Sequence, residues 1–209
     1  MAKIVEEILS VRLRETMGLM DGAGVPKDRL RNLQIEKLEE NIALRLELHP
    51  DVHASEAGFD HSALGFLFFS SGEALPALEH FKKNLDLAEK YGLRFVESNM
   101  RLHIGRCHHM LGKYSEAIRC FQEIADEPVH SPFWSSAYLC HFLSLSKLRE
   151  KERIERLQPS WQQLQDAGTV DPQRDWRFIQ GLHDELIEEL ESWEPELAQK
   201  LRIVPDGAP

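Results

Sequence analysis

The residues of this chain that could carry chemistry are, first, its ten histidines and three cysteines. His103 and Cys107 lie four residues apart and could share one face of a helix, while His49 and His53 flank Asp51 in a predicted turn. A structural zinc site needs four ligands in a tetrahedral arrangement, and neither group supplies a fixed fourth ligand. The spacing therefore indicates surface or groove histidines, and we expect no metal.

Residue types suited to catalysis are present but badly spaced. Asp60, His61 and Ser62 have the composition of a hydrolytic triad, yet consecutive side chains on a helix point about 100° apart and cannot form the hydrogen-bonded line. Acidic pairs such as Glu39 with Glu40 are typical of solvated helix faces. The motifs GxxxxGK[ST], GxGxxG, HExxH and GxSxG do not occur. We therefore expect no enzymatic activity and no cofactor.

The charge balance argues against polyanionic partners. There are 25 basic and 35 acidic residues, a net charge of -10, which repels nucleic acid backbones and anionic lipid headgroups. No run of 18 apolar residues occurs, and Lys3, Glu6 and Glu7 interrupt the first apolar stretch. The three cysteines form no CxxC pair, which favours reduced thiols. We expect a soluble cytoplasmic protein that binds neither nucleic acid nor membranes.

Long amphipathic runs separated by short breakers predict helices throughout, with no strand. Pro159 could kink the eighth helix, and Pro195 could bend or restart the last one. The predicted helices cover approximately residues 3–19, 27–48, 60–71, 74–91, 95–111, 114–126, 132–147, 150–166 and 172–201.

A pattern of small and aromatic residues occurs twice, and the second copy follows the first by 40 residues. Leu64, Gly65, Gly72, Ala77 and Phe81 recur as Ile104, Gly105, Gly112, Ala117 and Phe121. A glycine inside a helix costs about 1 kcal/mol relative to alanine, so we expect Gly65 and Gly105 to permit close approach of another helix backbone. Gly72 and Gly112 should end the first helix of each pair in a left-handed cap. The two phenylalanines should fill the space between paired helices.

These residues resemble the tetratricopeptide repeat (TPR), strongly in the second unit and moderately in the first, over about residues 60–130. A third unit beginning near Trp134 lacks the turn glycine. The 40-residue period is similar to the longer repeats of polarity scaffolds and bacterial Rap-type regulators. The resemblance implies an all-α, right-handed superhelical array of antiparallel helix hairpins with a C-terminal capping helix. The implied domains are N-terminal helices or a degenerate repeat (1–55), TPR-like repeats (56–168), and a capping helix with a short tail (169–209).

In stacked repeats of this family the first helix of each hairpin lines a concave groove that binds a partner. The positions that correspond here are Phe59, Ser62, Phe66, Phe69, Asn99, Leu102, His103, Arg106 and Met110. Such a groove suits an apolar peptide that carries a few hydrogen-bonding or acidic groups. Phe66 and Phe69 could instead be core residues. The family's lysine, asparagine and arginine clamp for acidic chaperone tails is absent, because Ser62, Phe66 and His103 stand at its positions.

The last predicted helix carries a stripe of apolar residues with a three-four spacing. The stripe consists of Trp176, Ile179, His183, Leu186, Leu190, Trp193 and Leu197. A polar-faced cap of the array would use this stripe to cover the last repeat. The alternatives are a homodimer contact or a segment that folds back as a mimic of the ligand.

Together these features predict a non-catalytic scaffold or adaptor that binds a peptide or helix of a partner protein. A chaperone-like or homo-oligomeric assembly protein is the alternative. An RNA-binding TPR array is disfavoured, because it needs a basic surface.

Overall fold

The computed structural model of the chain describes residues 27–48, 54–126, 133–157 and 176–202. Within these ranges all regular structure is helical, and no strand occurs. The helices are α1 (Lys27–Leu48), α2 (Ala54–Ser70), α3 (Ala74–Tyr91), α4 (Arg94–Met110), α5 (Tyr114–Ala125), α6 (Trp134–Lys147), α7 (151–157), α8 (Trp176–Glu191) and α9 (Pro195–Leu201).

Most predicted helices agree with the structure, and the differences have local causes. Helix α2 begins at Ala54, six residues before the predicted start, and therefore includes Gly58. A Cβ at Gly58 would lie 2.5 Å from Oδ1 of Asn84, so this helical glycine provides room for the Asn84 side chain. The predicted helix over 3–19 and the second half of the one over 150–166 lie outside the described residues.

The chain divides into two compact units, one ending at Glu97 and the other beginning at Ser98. The division falls inside α4. The first unit contains α1, α2, α3 and the first turn of α4, and α2 packs against both α1 and α3.

A glycine and an aromatic ring join the two helices of the first repeat. Phe81 of α3 is fully buried, and its ring lies where a side chain on Gly65 of α2 would be, since an added Cβ would stand 2.5 Å from Cε1 of Phe81. The sequence predicted that a helix backbone would approach this glycine. The structure corrects that expectation, because the group that approaches is the aromatic ring of the same repeat.

The second unit contains the same contact between α4 and α5. Phe121 is fully buried, and an added Cβ on Gly105 would lie 2.5 Å from Cε1 of its ring. Behind this pair, α5 packs on α6, α6 packs on α8, and α8 packs on α9. The core of the unit is centred on α6, where Trp134, Phe142 and Leu145 are almost completely buried.

The turns after α2, α4 and α6 use the same left-handed cap. Gly72 has φ +78°, its amide donates to Phe69 O at 3.0 Å, and the next amide donates to Phe68 O at 2.9 Å. Gly112 has φ +71° with equivalent bonds. The third turn has no glycine, and there Arg149 adopts φ +56°. A non-glycine residue in this conformation costs roughly 1–2 kcal/mol, so the packing of α6 and α7 must impose the turn.

The C-terminal helices cover the end of the second unit. The predicted single helix is divided, because Pro195 has no amide proton to donate and begins α9. Leu186, Leu190 and Leu197 are buried in the cluster that contains the α6 core, and Trp193 Nε1 donates to Ser146 Oγ at 3.2 Å. The outer face of α8 is exposed and acidic. These contacts correspond to the predicted capping helix, while the Trp176 and Ile179 side chains lie outside the described ones.

One buried polar side chain of α6 makes no hydrogen bond with the residues that the structure describes. His141 of α6 is 3% exposed, and neither ring nitrogen has a hydrogen-bond partner in the part of the chain that the structure describes. Burial, with a smaller contribution from the Arg153 charge, lowers the pKa of His141 to about 4. The imidazole is therefore neutral at physiological pH.

The contact between Gly105 and Phe121 predicts opposite effects for two glycine substitutions. Gly105→Ala should lower the free energy of unfolding by roughly 1–3 kcal/mol, because its methyl group would overlap a buried ring. Gly181→Ala is the matched control, since Gly181 is helical, exposed and free of neighbours within 4 Å. The Gly181→Ala substitution should raise the free energy of unfolding by about 1 kcal/mol. Urea denaturation measures both changes in the free energy of unfolding. A Gly105→Ala variant as stable as the wild type would contradict the contact between Gly105 and Phe121.

Replacement of His141 by leucine should stabilise the protein by roughly 1–3 kcal/mol at pH 7.5, because a buried polar ring without hydrogen bonds is removed. Between pH 6.5 and about 4 the unfolded chain binds a proton at His141 that the folded chain does not. Stability of the wild type therefore falls as the pH falls through this window, by up to about 1.4 kcal/mol per pH unit from this residue. Urea midpoints at pH 7.5 and 5.5 should show the advantage of His141→Leu growing at the lower pH, whereas an equal or shrinking advantage would contradict this environment.

Candidate functional site

The nine predicted groove residues fall into two sets, one in each unit. Phe59, Ser62, Phe66 and Phe69 lie on α2, and Asn99, Leu102, His103, Arg106 and Met110 lie on α4 in the second unit.

The α2 set forms an aromatic face. Its members are spaced by three, four and three residues, which places them on one side of a helix. Phe59 is 71% exposed and Phe66 is 41% exposed, while Ser62 and Phe69 are half-buried. Phe66 is thus neither a core residue nor fully exposed. Large aromatic side chains with this exposure are common at protein interfaces.

An apolar cavity of about 490 Å³ adjoins this face, between α1 and α2. We call it the α1/α2 cavity; it is lined by Gln34, Leu38, Ala63, Phe66, Leu67, Phe69 and Ser70. Its volume lies within the roughly 300–1,000 Å³ of ordinary ligand pockets. Gln34 and Leu38 were not identified from the sequence, because α1 matches no repeat pattern that would assign its residues to a face.

The aromatic face has a rigid base. The Phe66 ring packs edge-on against Phe81 with centroids 5.3 Å apart, and Phe81 is itself held against Gly65. On the neighbouring side of α2, the Arg31 guanidinium lies 5.4 Å from the Phe68 ring centroid and forms an ion pair with Glu73. The orientation of Phe66 is therefore fixed by the same contact that joins the repeat.

The three residues that resembled a triad have three separate partners. Asp60 forms a buried ion pair with Arg45, with 3.0 Å between Oδ2 and Nε. His61 Nδ1 lies 3.1 Å from His80 Nδ1, within hydrogen-bond distance. Ser62 Oγ accepts a hydrogen bond of 2.6 Å from Asn84 Nδ2. The three side chains therefore interact with three different residues of the first unit.

Burial sets the protonation of these groups. It raises the pKa of Asp60 to about 6, against the opposing effect of Arg45. Burial also lowers the pKa of His61 to about 4, with further contributions from His80 and Lys83. Burial likewise lowers the pKa of His80. Near pH 7 the histidine pair is neutral and the carboxylate is ionised beside its arginine.

In the second unit the structure differs from the predicted groove at two positions. Leu102 is 4% exposed and belongs to a core cluster with Phe121 and Cys140, and His103 is 8% exposed. The sequence placed both on an outward face, whereas Leu102 packs against residues of α5 and α6. Burial, together with the nearby Arg106 charge, lowers the pKa of His103 to about 3.

The remaining α4 residues are more accessible. Asn99 and Arg106 are half-buried, and Met110 is 44% exposed. Burial lowers the pKa of Arg106, and the thiols of Cys140 and Cys107 and the Glu185 carboxylate of α8 oppose this shift. The Arg106 guanidinium therefore has an acidic neighbour, Glu185, within the second unit.

Two of the three cysteines are buried. Cys107 and Cys140 are buried free thiols, and burial raises the pKa of each to about 12, so both are protonated near pH 7. Among the described residues, no three histidine, cysteine or acidic side chains lie close enough to hold a metal ion. The predicted turn group of His49, Asp51 and His53 lies outside those residues.

A serine and a histidine do meet in the second unit, between α4 and α6. His109 Nδ1 lies 2.9 Å from Ser144 Oγ, but Ser144 is fully buried and its hydroxyl donates to Cys140 O at 2.8 Å. A nucleophilic hydroxyl must reach substrate and transfer its proton to the base. This pair therefore has the geometry of a structural hydrogen bond between helices.

Comparison with known proteins supports the fold assignment. No protein-family model matches the chain. Outer dynein arm-docking complex subunit 4 of Xenopus laevis is 28% identical over 123 residues, which is 58% of this chain and 23% of that protein. The chain thus spans less than a quarter of that relative. Among the described helices, none has the length and apolar character needed to cross a bilayer.

Two crystal structures of a kinesin-light-chain-like protein from Podosopora anserina, built of nearly identical TPR-like repeats, resemble the chain. A point variant gives a TM-score of 0.59 and the other structure 0.56, each at 14% identity over 94% of this chain and 90% of theirs. At this identity the likeness shows the fold. The chain is an all-α protein of tetratricopeptide-like helical repeats.

Proposed function

We infer that this chain is a non-catalytic protein-interaction scaffold, and that the aromatic face of α2 contacts the partner. The observation that carries the proposal is the exposure of Phe59 and Phe66 on one face, next to an apolar cavity. Exposed aromatic groups on a rigid base are typical anchors of protein interfaces, because their burial provides much of the binding energy.

The α2 face favours an apolar segment of a partner, either extended or helical. For the second unit by itself, we propose that Asn99, Arg106 and Met110 contact a partner through polar and apolar groups. Leu102 and His103 act as core residues that hold α4, because they are buried.

The likeness to a dynein arm-docking subunit supports a role in the assembly of a larger protein complex. We propose that the partner is a subunit of such a complex and that binding takes place in the cytoplasm. The net charge of -10 makes a polyanionic partner unfavourable. TPR-like folds generally act by binding, which agrees with the separate structural roles of Asp60, His61 and Ser62.

The aromatic face predicts that Phe59→Ala will reduce partner retention. Affinity capture from native cell extract with the full chain as bait should identify proteins that the wild type retains and the variant loses by roughly tenfold to thirtyfold, since an aromatic anchor contributes about 2 kcal/mol. Phe66→Ala should act in the same direction. Leu75→Ala is the matched control, because Leu75 is 58% exposed on α3 and should leave retention unchanged.

Circular dichroism should show unchanged helicity for all three variants. Equal retention by the wild type and Phe59→Ala would contradict a partner site on α2. Light scattering tests the alternative of a homo-oligomeric assembly protein. A stable wild-type oligomer whose mass falls in the Phe59→Ala variant would identify a second copy of the chain as the partner.

A further inference from the structure

The aromatic face of α2 matches a partner helix in length. Phe59 and Phe66 are seven residues apart on α2, which corresponds to about 10 Å along the helix axis. Residues i and i+7 of a partner helix have the same separation, so one apolar stripe can cover both rings. The backbone of α2 is hydrogen-bonded within the helix and gives an extended peptide no strand edge on which to pair. The face therefore favours a helical segment over an extended one.

Ion pairs neutralise three basic side chains of α1. Each of these side chains pairs with an acidic side chain of α1, of α2 or of the turn that follows α2. The pairs are Arg31 with Glu73, Lys37 with Glu40, and Arg45 with Asp60. Each pair brings together one positive and one negative charge, so it adds no net charge to the surface of the two helices.

The exposed charges outside these pairs are mostly acidic. Among the described side chains of α1 and α2, they are Arg29, Glu36, Glu39, Glu47 and Glu56. The exposed surface of the two helices therefore carries an excess of negative charge, as the whole chain does. Complementary charge on a partner steers association and selects among partners of similar shape.

Two of these acidic side chains lie at the Phe59 end of α2. Glu56 precedes Phe59 by three residues, which is close to one turn of the helix. Glu47 follows Arg45 by two residues, and the ion pair of Arg45 with Asp60 holds that part of α1 beside this end of α2. Carboxylates of both helices therefore lie at the same end as the most exposed ring of the face.

Three further basic side chains of the first unit are placed where they do not offset these carboxylates. Arg29 lies in the first turn of α1, at the opposite end of that helix. Lys83 of α3 acts on the buried His61, on the side of α2 away from the aromatic face. Arg94 lies in the first turn of α4 together with Glu97, so that turn carries no net charge. The Phe59 end of the face therefore stays acidic.

We propose that the partner segment at the aromatic face is a basic amphipathic helix. Its apolar stripe covers Phe59 and Phe66, and lysine or arginine side chains beside the stripe face Glu47 and Glu56. The inference rests on the proposed function, in which α2 contacts the partner, and it specifies the chemistry of that partner. An acidic helix of the same shape would place like charges beside the two carboxylates, which is unfavourable.

Fluorescence anisotropy with two synthetic peptides and the full chain tests this preference. Both peptides are amphipathic helices of about 18 residues with leucines at a three-four spacing. The remaining positions are filled with lysine and alanine in one peptide and with glutamate and alanine in the other. We expect the lysine peptide to bind about tenfold more tightly at about 0.15 M salt, because exposed ion pairs each change affinity by roughly twofold to fivefold.

Three variants locate the binding site of the lysine peptide. Phe59→Ala should weaken its binding roughly tenfold to thirtyfold. Glu56→Lys should weaken it about threefold to tenfold and strengthen binding of the glutamate peptide, because the charge that faces each peptide is reversed. Glu188→Lys is the matched control, since it makes the same charge change on the exposed side of α8 in the second unit. This control should change either affinity by less than about twofold.

Equal affinities for the two peptides, or no binding of the lysine peptide, would overturn the proposal. Equal losses in Glu56→Lys and Glu188→Lys would also overturn it, because the lysine peptide would then respond only to the overall negative charge. The scaffold function fails separately, when Phe59→Ala does not change partner capture. A captured partner that depends on Phe59, together with equal peptide affinities, would leave α2 as the binding site and reject only its preference for basic residues.

Discussion

The contact on which the rest of this structure depends is that of a helical glycine with a buried phenylalanine ring on the next helix. In both repeats the ring occupies the volume that a side chain on the glycine would need. A glycine inside a helix costs about 1 kcal/mol, whereas burying a phenylalanine contributes about 1.5–3 kcal/mol. Burying the phenylalanine therefore contributes more than the helical glycine costs, and the contact fixes which faces of the two helices meet. A left-handed turn at Gly72 or Gly112 then sets the direction of the returning helix.

The same contact links the core to the proposed binding face. Phe81 fills the space at Gly65 on one side and supports the Phe66 ring on another. A side chain supported in this way loses little conformational entropy when a partner covers it, which is an advantage for an anchor residue. In the second unit Phe121 has the same relation to Gly105, but residues of α5 and α6 pack against the neighbouring Leu102, which is therefore buried.

Much of the fold could be predicted from the sequence, because glycine, proline and aromatic residues mark its turns and contacts. The bounds of α1 and α3 follow from the glycine and proline residues that flank them. Pro195 begins α9 because it has no amide proton with which to continue α8. The third turn was harder to identify. Arg149 adopts a conformation that normally indicates glycine, and only the packing of its neighbours explains it.

The site was less predictable than the fold, because burial depends on what packs over a residue and not on its own helix. The positions of Leu102 and His103 on α4 suggested an outward face, yet both side chains are buried, and residues of α5 and α6 pack against Leu102. Gln34 and Leu38 were missed because α1 carries no repeat signature to orient it. In contrast, Phe59 and Phe66 needed only the repeat register of α2, and there the pattern and the structure agree on exposed aromatic groups.

The central claim is that each recognised repeat is held by a phenylalanine ring on a helical glycine, and nuclear Overhauser spectroscopy of the folded chain tests it most directly. Strong cross-peaks should connect the Hα protons of Gly65 with the ring protons of Phe81, and those of Gly105 with the ring of Phe121. If these cross-peaks are absent while the helices are intact, the rings lie elsewhere, and the account of how the repeats form and position α2 is wrong.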